Sequence, residues 1–588
     1  MSQPTTSSGK AFDYQLIRRV LAYTRPYKAV LRWTIFLTVF VAFLSPVRPW
    51  MIRYTVDNFV MVPNLPMLLW MTIAMAGILL LETVVQYYQT YYSGYLGQSV
   101  VKDLRTQLFR HVSRFRLQYF DRTPIGTLVT RVINDIETIA DIFSEGLLSI
   151  VGDLLKLITV LVVMLAIDWE LTLICLIPVP FLLLATYLFK NGIRKSFHEV
   201  RNEVSNLNAF TQEHITGMSI VQAFNREQIE MDRFKEINHR HRSAHIRSVW
   251  YYSVFFPVVE ILSAISIALL VWWGARDIIQ SANTTTTPGR IIEFILYINM
   301  LYRPMRQLAD RFNTLQMGIV SAERIFKVLD TEASLEDKGT HNAGEIRGHI
   351  RFENANFAYV KDEYVIRDFS LEIRSGEKLA IVGATGSGKT TLINLLSRMY
   401  EINSGRILID GIDIRDYKLE ELQKNVGVVL QDVFLFSDTI ANNIRLNNES
   451  ISMEQVVEAS RAVEAHTFIE RLPGGYNYNV RERGTMLSVG QRQLISFIRA
   501  YVYDPKILIL DEATSSIDTE SELLIQRATE KITEGRTSII IAHRLSTIQH
   551  ADKIIVMEKG KIIEQGSHQE LIAASGHYKR LFDLQFAR

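Results

Sequence analysis

The chain has 588 residues, of which 48% are hydrophobic and 21% are charged, and its formal net charge is +2. This length exceeds what one hydrophobic core holds, so about two to four folding units are expected. The near-neutral charge gives no global argument for a nucleic-acid partner, and none is predicted. The single cysteine, Cys175, lies in the apolar run LTLICLIPVP, which excludes a disulfide framework and predicts a small buried hydrophobic residue.

Six long apolar stretches occupy the first half of the chain. A membrane core about 30 Å thick requires about 20 mostly apolar helical residues. Stretches of that kind are predicted near residues 31–52, 66–90, 143–167, 170–190, 251–275 and 290–312. The first one lacks a small-residue cleavage pattern and is followed by further spans, so it is not a signal peptide. These stretches predict an α-helical polytopic membrane domain of six transmembrane helices.

Lysine and arginine residues cluster on one side of this predicted bundle. They precede the first stretch and fill the second-to-third and fourth-to-fifth connections, as shown by Arg18, Arg19, Lys102, Arg105, Arg194 and Lys195. The positive-inside rule places these connections, the N-terminus and the second half of the chain in the cytoplasm. We also expect an integral, multi-pass protein of the plasma or inner membrane. On the opposite side, Asn283 fits a glycosylation sequon, but a plain solvated loop is favoured there.

The two long cytoplasmic connections are predicted to be helical. The segment VVKDLRTQLFRHVSRFRL repeats apolar residues at helical spacing, so the second to fifth spans should continue well beyond the membrane. Turns are predicted at Phe120–Asp135, with Pro124 as a breaker, and at Phe210–Glu227, with Gly217. Three histidines lie on one extension, at His239, His241 and His245; without carboxylate support, a solvated helix face is favoured over a metal site.

Ionisable residues also fall within or beside the apolar stretches, namely Glu82, Asp153, Lys156, Glu260, Arg303 and Arg306. Such groups are costly in a membrane, so they indicate either a water-filled cavity or charge pairs between helices. Trp272 and Trp273, which close the fifth stretch, are typical of an interfacial aromatic belt.

After Glu323 the composition becomes that of a soluble α/β domain. Five short continuous apolar runs, KLAIVG, VGVVL, KILILD, TSIIIA and KIIVM, predict the strands of a parallel sheet that is covered on both faces. We therefore expect a transmembrane domain over residues 1–320, a linker over 321–345 and a soluble α/β domain over 346–588.

The segment GATGSGKT at residues 383–390 matches the phosphate-loop pattern G-x-x-x-x-G-K-[ST] between a predicted strand and a predicted helix. Its glycines allow backbone N–H groups to surround the phosphates of ATP, and the helix N-terminus adds a favourable dipole. Lys389 is expected to reach the β and γ phosphates, and Thr390 to bind Mg²⁺. The ATP-binding residues predicted here are Gly383, Thr385, Gly386, Ser387, Gly388, Lys389, Thr390 and Thr391.

Polar residues follow three other predicted strands. Asp511 and Glu512 end KILILDE, and we expect Asp511 to bind Mg²⁺ and Glu512 to orient and deprotonate the attacking water. An acidic pair can simply cap a helix, but the phosphate loop favours the hydrolytic interpretation. His543 follows TSIIIA, where it could bond the γ-phosphate, and Gln431 follows VGVVL.

Together with the segment LSVGQ at residues 487–491, these motifs resemble those of ABC exporter half-transporters of the multidrug and lipid exporter type. The resemblance covers nearly the whole chain and implies a six-helix membrane domain fused to one α/β P-loop ABC ATPase domain. It implies ATP-driven export of amphipathic drugs or lipids by alternating access. By the same resemblance, Tyr359 stacks on adenine, Gln431 serves catalysis and Mg²⁺ binding, and Asp518 lies in the loop after the catalytic strand. RERG at 481–484 and the turns around Pro124 and Gly217 would couple the two domains.

The resemblance also implies that LSVGQ faces the nucleotide of a second chain, so that two ATP molecules lie between two chains. Ser488, Gly490 and Gln491 would then bind the partner's nucleotide, with Ser488 on its γ-phosphate. Val489 departs from the glycine usual in the family, which makes close approach of the backbone to phosphate harder. A homodimer is favoured because every catalytic element is present in this chain, and a heterodimer with a paralogue stays open.

Other protein classes share parts of this pattern. A soluble ABC ATPase of DNA repair or translation would lack the six apolar stretches, and an importer would normally keep its membrane and ATPase parts on separate chains. An ATP-gated channel or receptor regulator would share the whole architecture. It would hydrolyse ATP without moving an amphiphile, and this alternative stays open at the level of sequence.

Overall fold

The computed structural model describes residues 14–280, 286–332, 337, 339–342, 344, 346–511, 519–541 and 545–586. The chain forms two compact units. The first comprises the residues up to Ser113 and Thr123–Glu332, and the second comprises Arg114–Arg122 and Ala333–Arg588. A short segment of the first half therefore packs with the second unit.

The described part of the first unit is helical. Within residues 14–280 and 286–332, thirteen α-helices are present, and of these only the fifth belongs to the second unit. They are α1 (Tyr14–Ala22), α2 (Lys28–Leu44), α3 (Val47–Thr55), α4 (Leu65–Val112), α5 (Leu117–Arg122), α6 (Ile125–Thr130), α7 (Ile136–Asp141), α8 (Leu147–Ile167), α9 (Trp169–Leu176), α10 (Val179–Thr216), α11 (Met218–Ala223), α12 (Glu227–Gln280) and α13 (Pro288–Leu329). A 3₁₀ turn spans Arg25–Tyr27, and π-helical turns span Val56–Val60, Arg131–Asp135 and Ile142–Gly146.

Polar side chains start three of the long helical segments. The side chains of Asn64, Asp168 and Thr287 accept hydrogen bonds from backbone N–H groups three residues on, at 3.2, 3.1 and 3.2 Å. Each such cap satisfies an N–H group that the helix itself leaves unpaired. Local sequence thereby determines where these three segments begin.

Five helical stretches of the described residues are long and apolar enough to cross a membrane: Arg25–Val60, Leu65–Val112, Ile125–Ile167, Trp169–Thr216 and Glu227–Gln280. Each of the first five predicted spans lies within one of them. Helix α12 has 54 residues, or about 80 Å at about 1.5 Å per residue, so the predicted extension of the spans beyond a membrane core is confirmed. The sixth predicted span is helical as part of α13, but charges such as Glu293 and Arg303 keep α13 outside this apolar group, and its spanning stays a prediction.

Several single residues of the first unit were considered in the sequence analysis. Cys175 is buried, as expected of a small hydrophobic residue, and Trp272 is 63% exposed near the end of α12. The rings of His241 and His245 are in edge contact at 4.7 Å. Within the described residues, no group of three or more His, Cys, Asp or Glu is placed to hold a metal ion. The possible sequon at Asn283 lies outside the described residues.

Both predicted turns of the long extensions are present. Helix α6 begins after Pro124. Helix α10 ends at Thr216 because the next residue, Gly217, leaves the helical conformation with φ of −90° and ψ of 14°, while its N–H still donates to the Glu213 carbonyl at 2.9 Å. The short helix α11 follows, and Asn225, with φ of 52°, turns the chain into α12. The prediction of helix–turn–helix connections is confirmed, whereas their coupling role stays a prediction.

The second unit contains two sheets. The strands are β1 (Ile350–Ala358), β2 (Tyr364–Ile373), β3 (Lys378–Gly383), β4 (Ser404–Ile409), β5 (Ile412–Asp413), β6 (Val426–Val429), β7 (Ile507–Asp511), β8 (Thr537–Ile541), β9 (Lys553–Glu558) and β10 (Lys561–Gly566). One sheet has the order β2-β1-β4-β5 and is antiparallel, and the other has the order β10-β9-β3-β8-β7-β6 and is parallel except at β10. The five predicted strands are β3, β6, β7, β8 and β9, so the expectation of a parallel sheet is confirmed.

Helices follow β3 in the second unit, and several of them pack against the strands. They are α14 (Lys389–Leu396), α15 (Leu419–Asn425), α16 (Ile440–Arg445), α17 (Met453–Ala462), α18 (His466–Glu470), α19 (Val489–Val502), α20 (Thr519–Thr533), α21 (Leu545–Gln549), α22 (His568–Ala573) and α23 (His577–Phe586). Ile393 and Leu396 of α14 are buried with Leu379 and Ile381 of β3 in one core, and this packing holds the start of α14 against the end of β3.

Candidate functional site

The carboxyl ends of four parallel strands meet at one edge of the sheet. In the register of the sheet, Val429 of β6 pairs with Leu510 of β7, and Asp511 pairs with Ile541 of β8. The end of β3 therefore lies at the same edge of the sheet as Asp511. The residues just after β6 lie there too, and they include the exposed Gln431. This is the edge where open α/β sheets bind their ligands. Glu512, Asp518 and His543 lie outside the described residues.

The phosphate loop connects β3 to α14 through two residues with positive φ. Gly386 has φ of 81° and Gly388 has φ of 103°, and Gly388 is the N-cap of α14. A side chain at either position would strain this backbone. The two glycines thus allow the loop to turn tightly and to present backbone N–H groups at the helix N-terminus, which is a favourable place for anions.

Lys389 lies across this loop. Its Nζ donates to the carbonyl oxygens of Gly383 and Ala384 at 2.7 and 3.0 Å, and the residue is 8% exposed. Burial lowers the pKa of the Lys389 ammonium, and the charge of Asp511 opposes this shift. From this position the Lys389 ammonium can bind an anionic phosphate group.

Two hydroxyl groups of the loop are placed for ATP and Mg²⁺. Ser387 is 4% exposed, and among the described residues its buried Oγ has no hydrogen-bond partner. Thr390 Oγ1 lies 3.5 Å from Asp511 Oδ2. Hydroxyl and carboxylate oxygens are the ligand types that Mg²⁺ prefers, so the residues present fit the predicted ion.

Tyr359 packs beside the start of α14. Its hydroxyl and that of Thr391 are hydrogen-bonded at 3.2 Å, and its ring makes an edge contact with the ring of Tyr400 at 5.1 Å. The aromatic residue predicted to contact adenine thus lies next to the phosphate-loop helix.

The segment Arg114–Arg122, which includes α5, contacts this same aromatic pair. Arg122 donates to the Tyr359 carbonyl at 2.8 Å, and the Tyr400 hydroxyl donates to the Asp121 carboxylate. Arg116 also lies 3.7 Å from Glu401. The sequence reasoning missed Tyr400 and Glu401, because nothing in the local pattern LSRMYE indicates a partner almost three hundred residues earlier in the chain.

The segment LSVGQ surrounds the start of α19. Ser488 is the N-cap: its Oγ accepts from the Gln491 N–H at 3.2 Å, and the Gln491 side chain accepts from the Ser488 N–H at 3.0 Å. Ser488 is exposed, Val489 is 46% exposed and Gly490 is buried. Ser488 therefore has a structural role as a helix cap, and its hydroxyl proton is still available to an acceptor outside the helix.

A strained turn supports this segment. Arg481 and Arg483 of RERG have positive φ values of 57° and 53°. Arg492 donates to the carbonyls of Gly484 and Leu487 at 3.3 and 2.9 Å, which joins α19 to this turn. The sequence reasoning did not identify Arg492, whose role follows from contacts within the loop rather than from a motif.

These observations define a class of protein: a P-loop ATPase domain joined in one chain to a region of membrane-spanning helices. A family model of the ABC transporter transmembrane region matches residues 31–305, and one described as ABC transporter matches residues 366–515. The chain is 39% identical over 582 residues to the uncharacterized ABC transporter ATP-binding protein YknV of Bacillus subtilis (strain 168), covering 98% of this chain and 96% of that protein.

Two further relatives carry functional names. The putative multidrug export ATP-binding/permease protein YgaD of Bacillus subtilis (strain 168) is 37% identical over 579 residues, covering 97% of this chain and 99% of its own length. The ATP-dependent lipid A-core flippase of Syntrophus aciditrophicus (strain SB) is 36% identical over 572 residues, covering 97% and 94%.

The chain belongs to the ABC transporter family. It is a multi-pass membrane protein that binds nucleotide and hydrolyses ATP for transport. It is also a half-transporter, because it carries one membrane region and one ATPase domain, and such chains function as dimers.

Proposed function

We propose that this chain exports amphipathic molecules, drugs or lipids, out of the cytoplasm or the inner leaflet by alternating access. The observation that carries the proposal is the fusion of apolar helices, extended beyond membrane thickness, with a buried phosphate loop. The names of the multidrug export and lipid A-core flippase relatives support it. We further propose domains at 1–320, 321–345 and 346–588, six spans, and a plasma or inner membrane with the N-terminus and the ATPase domain in the cytoplasm.

In the proposed ATP site, the phosphate loop and Tyr359 hold the nucleotide. Lys389 and the loop N–H groups bind the phosphates, and the unpaired Ser387 hydroxyl lies within this loop. Tyr359 stacks on adenine. The proposed nucleotide-binding set is Tyr359, Gly383, Thr385, Gly386, Ser387, Gly388, Lys389, Thr390 and Thr391.

Mg²⁺ would be held by Thr390, Gln431 and Asp511, and it would supply charge neutralisation of the reacting phosphates. Glu512 follows Asp511 directly in the chain, and we propose that it orients and deprotonates the attacking water. His543 follows β8 at the neighbouring strand end, where it would bond the γ-phosphate. Gln431 completes the proposed catalytic set.

The second chain completes each ATP site. Ser488, Gly490 and Gln491 would contact the nucleotide that the partner's phosphate loop holds. The Ser488 Oγ already accepts a hydrogen bond from its own helix, so it can donate its proton to a phosphate oxygen at the same time. We favour a homodimer because Lys389, Asp511 and Ser488 all occur in this chain, and a heterodimer with a paralogue is the alternative.

We propose that the turns at Phe120–Asp135 and Phe210–Glu227 transmit ATP binding to the membrane helices. Long helices move as rigid bodies, so a displacement at the turn would reach the membrane, and closure around ATP would bias one membrane state over another. The short helix α11 is well suited to a test, because the N–H groups of Val221 and Phe224 donate to the carbonyls of Gly217 and Ile220 at 3.2 and 3.1 Å.

The experiment compares ATP hydrolysis with ATP-driven movement of a panel of amphiphilic drugs and labelled lipids in proteoliposomes. In the unmodified protein, both activities should be present. Val221→Pro with Phe224→Pro removes both N–H donors and should abolish movement while ATP hydrolysis continues. The matched control is Val221→Ala with Phe224→Ala, which keeps both donors.

Two results would count against the proposal. Sustained ATP hydrolysis by the unmodified protein with no amphiphile moved would favour an ATP-gated channel or receptor regulator. Unchanged transport in the double proline variant would show that the second turn does not transmit the movement.

A further inference from the structure

Four charged residues on four helices lie at a similar depth in the membrane region; we call them the deep charged layer. Depth is counted along each helix from the end of the bundle where the short connections lie. On this measure the four residues lie about 17 to 26 Å deep, at about 1.5 Å per residue. The members are Arg48 of α3, Glu82 of α4, Lys156 of α8 and Arg303 of α13. Because a membrane core is about 30 Å thick, this depth lies within its far half.

Within the deep charged layer, Lys156 is the member on which the other charges act. Lys156 interacts with the charges of Glu82, Arg303 and Arg48, and also with Asp153 on its own helix. The Ser45 hydroxyl, three residues before Arg48, contacts Glu82 at 3.4 Å, and Arg311 of α13 contacts Asp153, three residues before Lys156, at 2.6 Å. Side chains from these helices therefore approach a common region. They do not project separately from four faces of the bundle.

Positive charge is in excess in this layer. Among the described residues, Arg48, Lys156 and Arg303 make no ion pair or hydrogen bond through their side chains, whereas Asp153 is already held by Arg311 at 2.6 Å. Glu82 is contacted by the Ser45 hydroxyl at 3.4 Å. Within the described part of the layer, three cations thus face one remaining carboxylate.

The charges near the short connections are arranged differently. Arg53 lies 3.3 Å from the fully buried Glu293, and Arg290 lies 3.2 Å from Asp168. Asp57 accepts from the Gly289 N–H at 2.9 Å and from the Thr287 hydroxyl at 2.6 Å. These charges join helix ends to one another, so they have a structural explanation that the deep charged layer lacks.

Unpaired cations at this depth have few acceptable environments. Arg48 and Arg303 are exposed and Lys156 is half-buried, and exposure to lipid tails would be costly for each of them. A cavity that admits water and an anionic ligand removes this cost. The exposed, stacked tyrosines of α4, Tyr87 and Tyr91, begin five residues beyond Glu82 and are of the type that marks a membrane interface. The layer therefore lies where the headgroup of an amphiphile would enter from that interface.

We infer that the deep charged layer binds the anionic headgroup of the transported amphiphile, with Lys156, Arg303 and Arg48 as its cationic ligands. This inference rests on the proposed exporter function and names its substrate class. Apolar helix surfaces accept the tail, and the layer selects the charge of the headgroup. Glu82 opposes the binding of an anion and so limits its affinity.

The test uses phosphatidylcholine liposomes with two tail-labelled fluorescent lipids that share identical chains, phosphatidylglycerol and phosphatidylcholine. ATP-driven movement is followed with a membrane-impermeant quencher. The unmodified protein should half-saturate at a concentration of phosphatidylglycerol on the order of tenfold lower than that of phosphatidylcholine, since charge-assisted contacts contribute this much. Lys156→Gln with Arg303→Gln should raise the half-saturating concentration of phosphatidylglycerol about tenfold, to that of phosphatidylcholine, and so remove this difference.

The matched control is Arg242→Gln with Arg471→Gln, which removes two exposed positive charges outside the layer and should keep the preference. Glu82→Gln should strengthen the preference for phosphatidylglycerol, and misfolding cannot mimic such a gain. Water-soluble glycerol phosphate at millimolar concentration should not compete. If it competed as well as phosphatidylglycerol does, the assignment of an amphiphile would be overturned.

Two results would overturn the inference and leave the exporter proposal standing. One is an equal half-saturating concentration for the two lipids in the unmodified protein, and the other is an equal loss of movement of both lipids in the double glutamine variant. Continued ATP hydrolysis with neither lipid nor any drug moved would overturn the exporter proposal as well.

Discussion

Two helices of the ATPase unit begin at segments suited to bind phosphate, and their surroundings differ. At the start of α14, Ser387 and Lys389 are buried, and the Lys389 ammonium is bonded to carbonyls of its own loop. At the start of α19, Ser488 and Val489 are exposed, and the Ser488 side chain caps its own helix. The first segment is enclosed by its own unit, whereas the second faces outward.

This difference bears on how the two segments can share a nucleotide. An enclosed loop can hold phosphates without help from another chain, because its donors already converge. An outward-facing N-terminus with a spare hydroxyl proton needs an acceptor brought to it. We therefore expect this contrast if ATP binds to the phosphate loop of one chain and the LSVGQ segment of a partner chain completes the binding site.

The largest expected effect tests the chemistry at the enclosed segment. Glu512→Gln should slow ATP hydrolysis by about 10² to 10⁴, because it removes the proposed base. ATP binding should be unchanged, since the phosphate loop is intact. Turnover and equilibrium nucleotide binding, measured on the same purified protein, check both statements. Near-normal turnover would remove Glu512 from the proposed role.

The next effect tests the outward-facing segment. Ser488→Asp keeps an N-cap acceptor but places a carboxylate opposite the partner's γ-phosphate, and Ser488→Ala removes the hydroxyl. Hydrolysis should fall by about 10- to 100-fold in Ser488→Ala, which matches the loss of a hydrogen bond to a charged group, and further in Ser488→Asp. Ser488→Thr is the control, because it keeps both the cap and the proton. Thermal unfolding of each variant shows whether loss of the helix cap has lowered its stability. Full ATP hydrolysis in Ser488→Asp would contradict the account.

A smaller effect concerns the segment Arg114–Arg122 beside the enclosed loop. Arg122→Ala and Tyr400→Phe remove its contacts with the Tyr359 carbonyl and the Asp121 carboxylate. Because Tyr359 is the proposed adenine contact, nucleotide affinity should weaken by a few-fold, about 1 kcal/mol or less per contact. Arg114→Ala, at an exposed position with no such contact, is the control. Unchanged ATP affinity in both variants would separate this segment from the nucleotide site.

The smallest expected effect is at Val489. Because this side chain is 46% exposed at the first turn of α19, it can turn away from the phosphate, and Val489→Gly should change hydrolysis by less than about threefold. Val489→Ala distinguishes backbone flexibility from side-chain bulk. A gain of tenfold or more in Val489→Gly would show that valine obstructs the site.

The parallel sheet was predictable because its strands are short, continuously apolar runs. Every residue of β7 and β8 is buried, and strands of this kind can be recognised from the amino-acid sequence alone. The antiparallel strands β1, β2, β4 and β5 were not predicted. The burial of β1 and β2 alternates with exposure, and polar residues interrupt their apolar runs, so the local signal is weaker.

The candidate site shows the same limit. The phosphate loop was predictable from spacing alone, because its glycines and Lys389 are adjacent in sequence. The contact between Tyr400 and Asp121 joins residues 279 positions apart, and no local pattern encodes it. Of the deep charged layer, the sequence indicated Glu82, Lys156 and Arg303 as separate charges and did not indicate Arg48, because the common depth of the four depends on where each helix begins and ends.

The central claim is that Ser488 of one chain lies opposite the phosphate loop of another, and cross-linking tests it most directly. The only cysteine, Cys175, is first replaced by serine. Chains carrying Thr385→Cys are then co-assembled with chains carrying Ser488→Cys, both in the Glu512→Gln background, and treated with a short bismaleimide. We predict a covalent species of two-chain mass that increases with ATP and forms only when the two kinds of chain are mixed. When both cysteines are placed in one chain, a cross-link within that chain, together with no two-chain species in the mixture, would contradict the account.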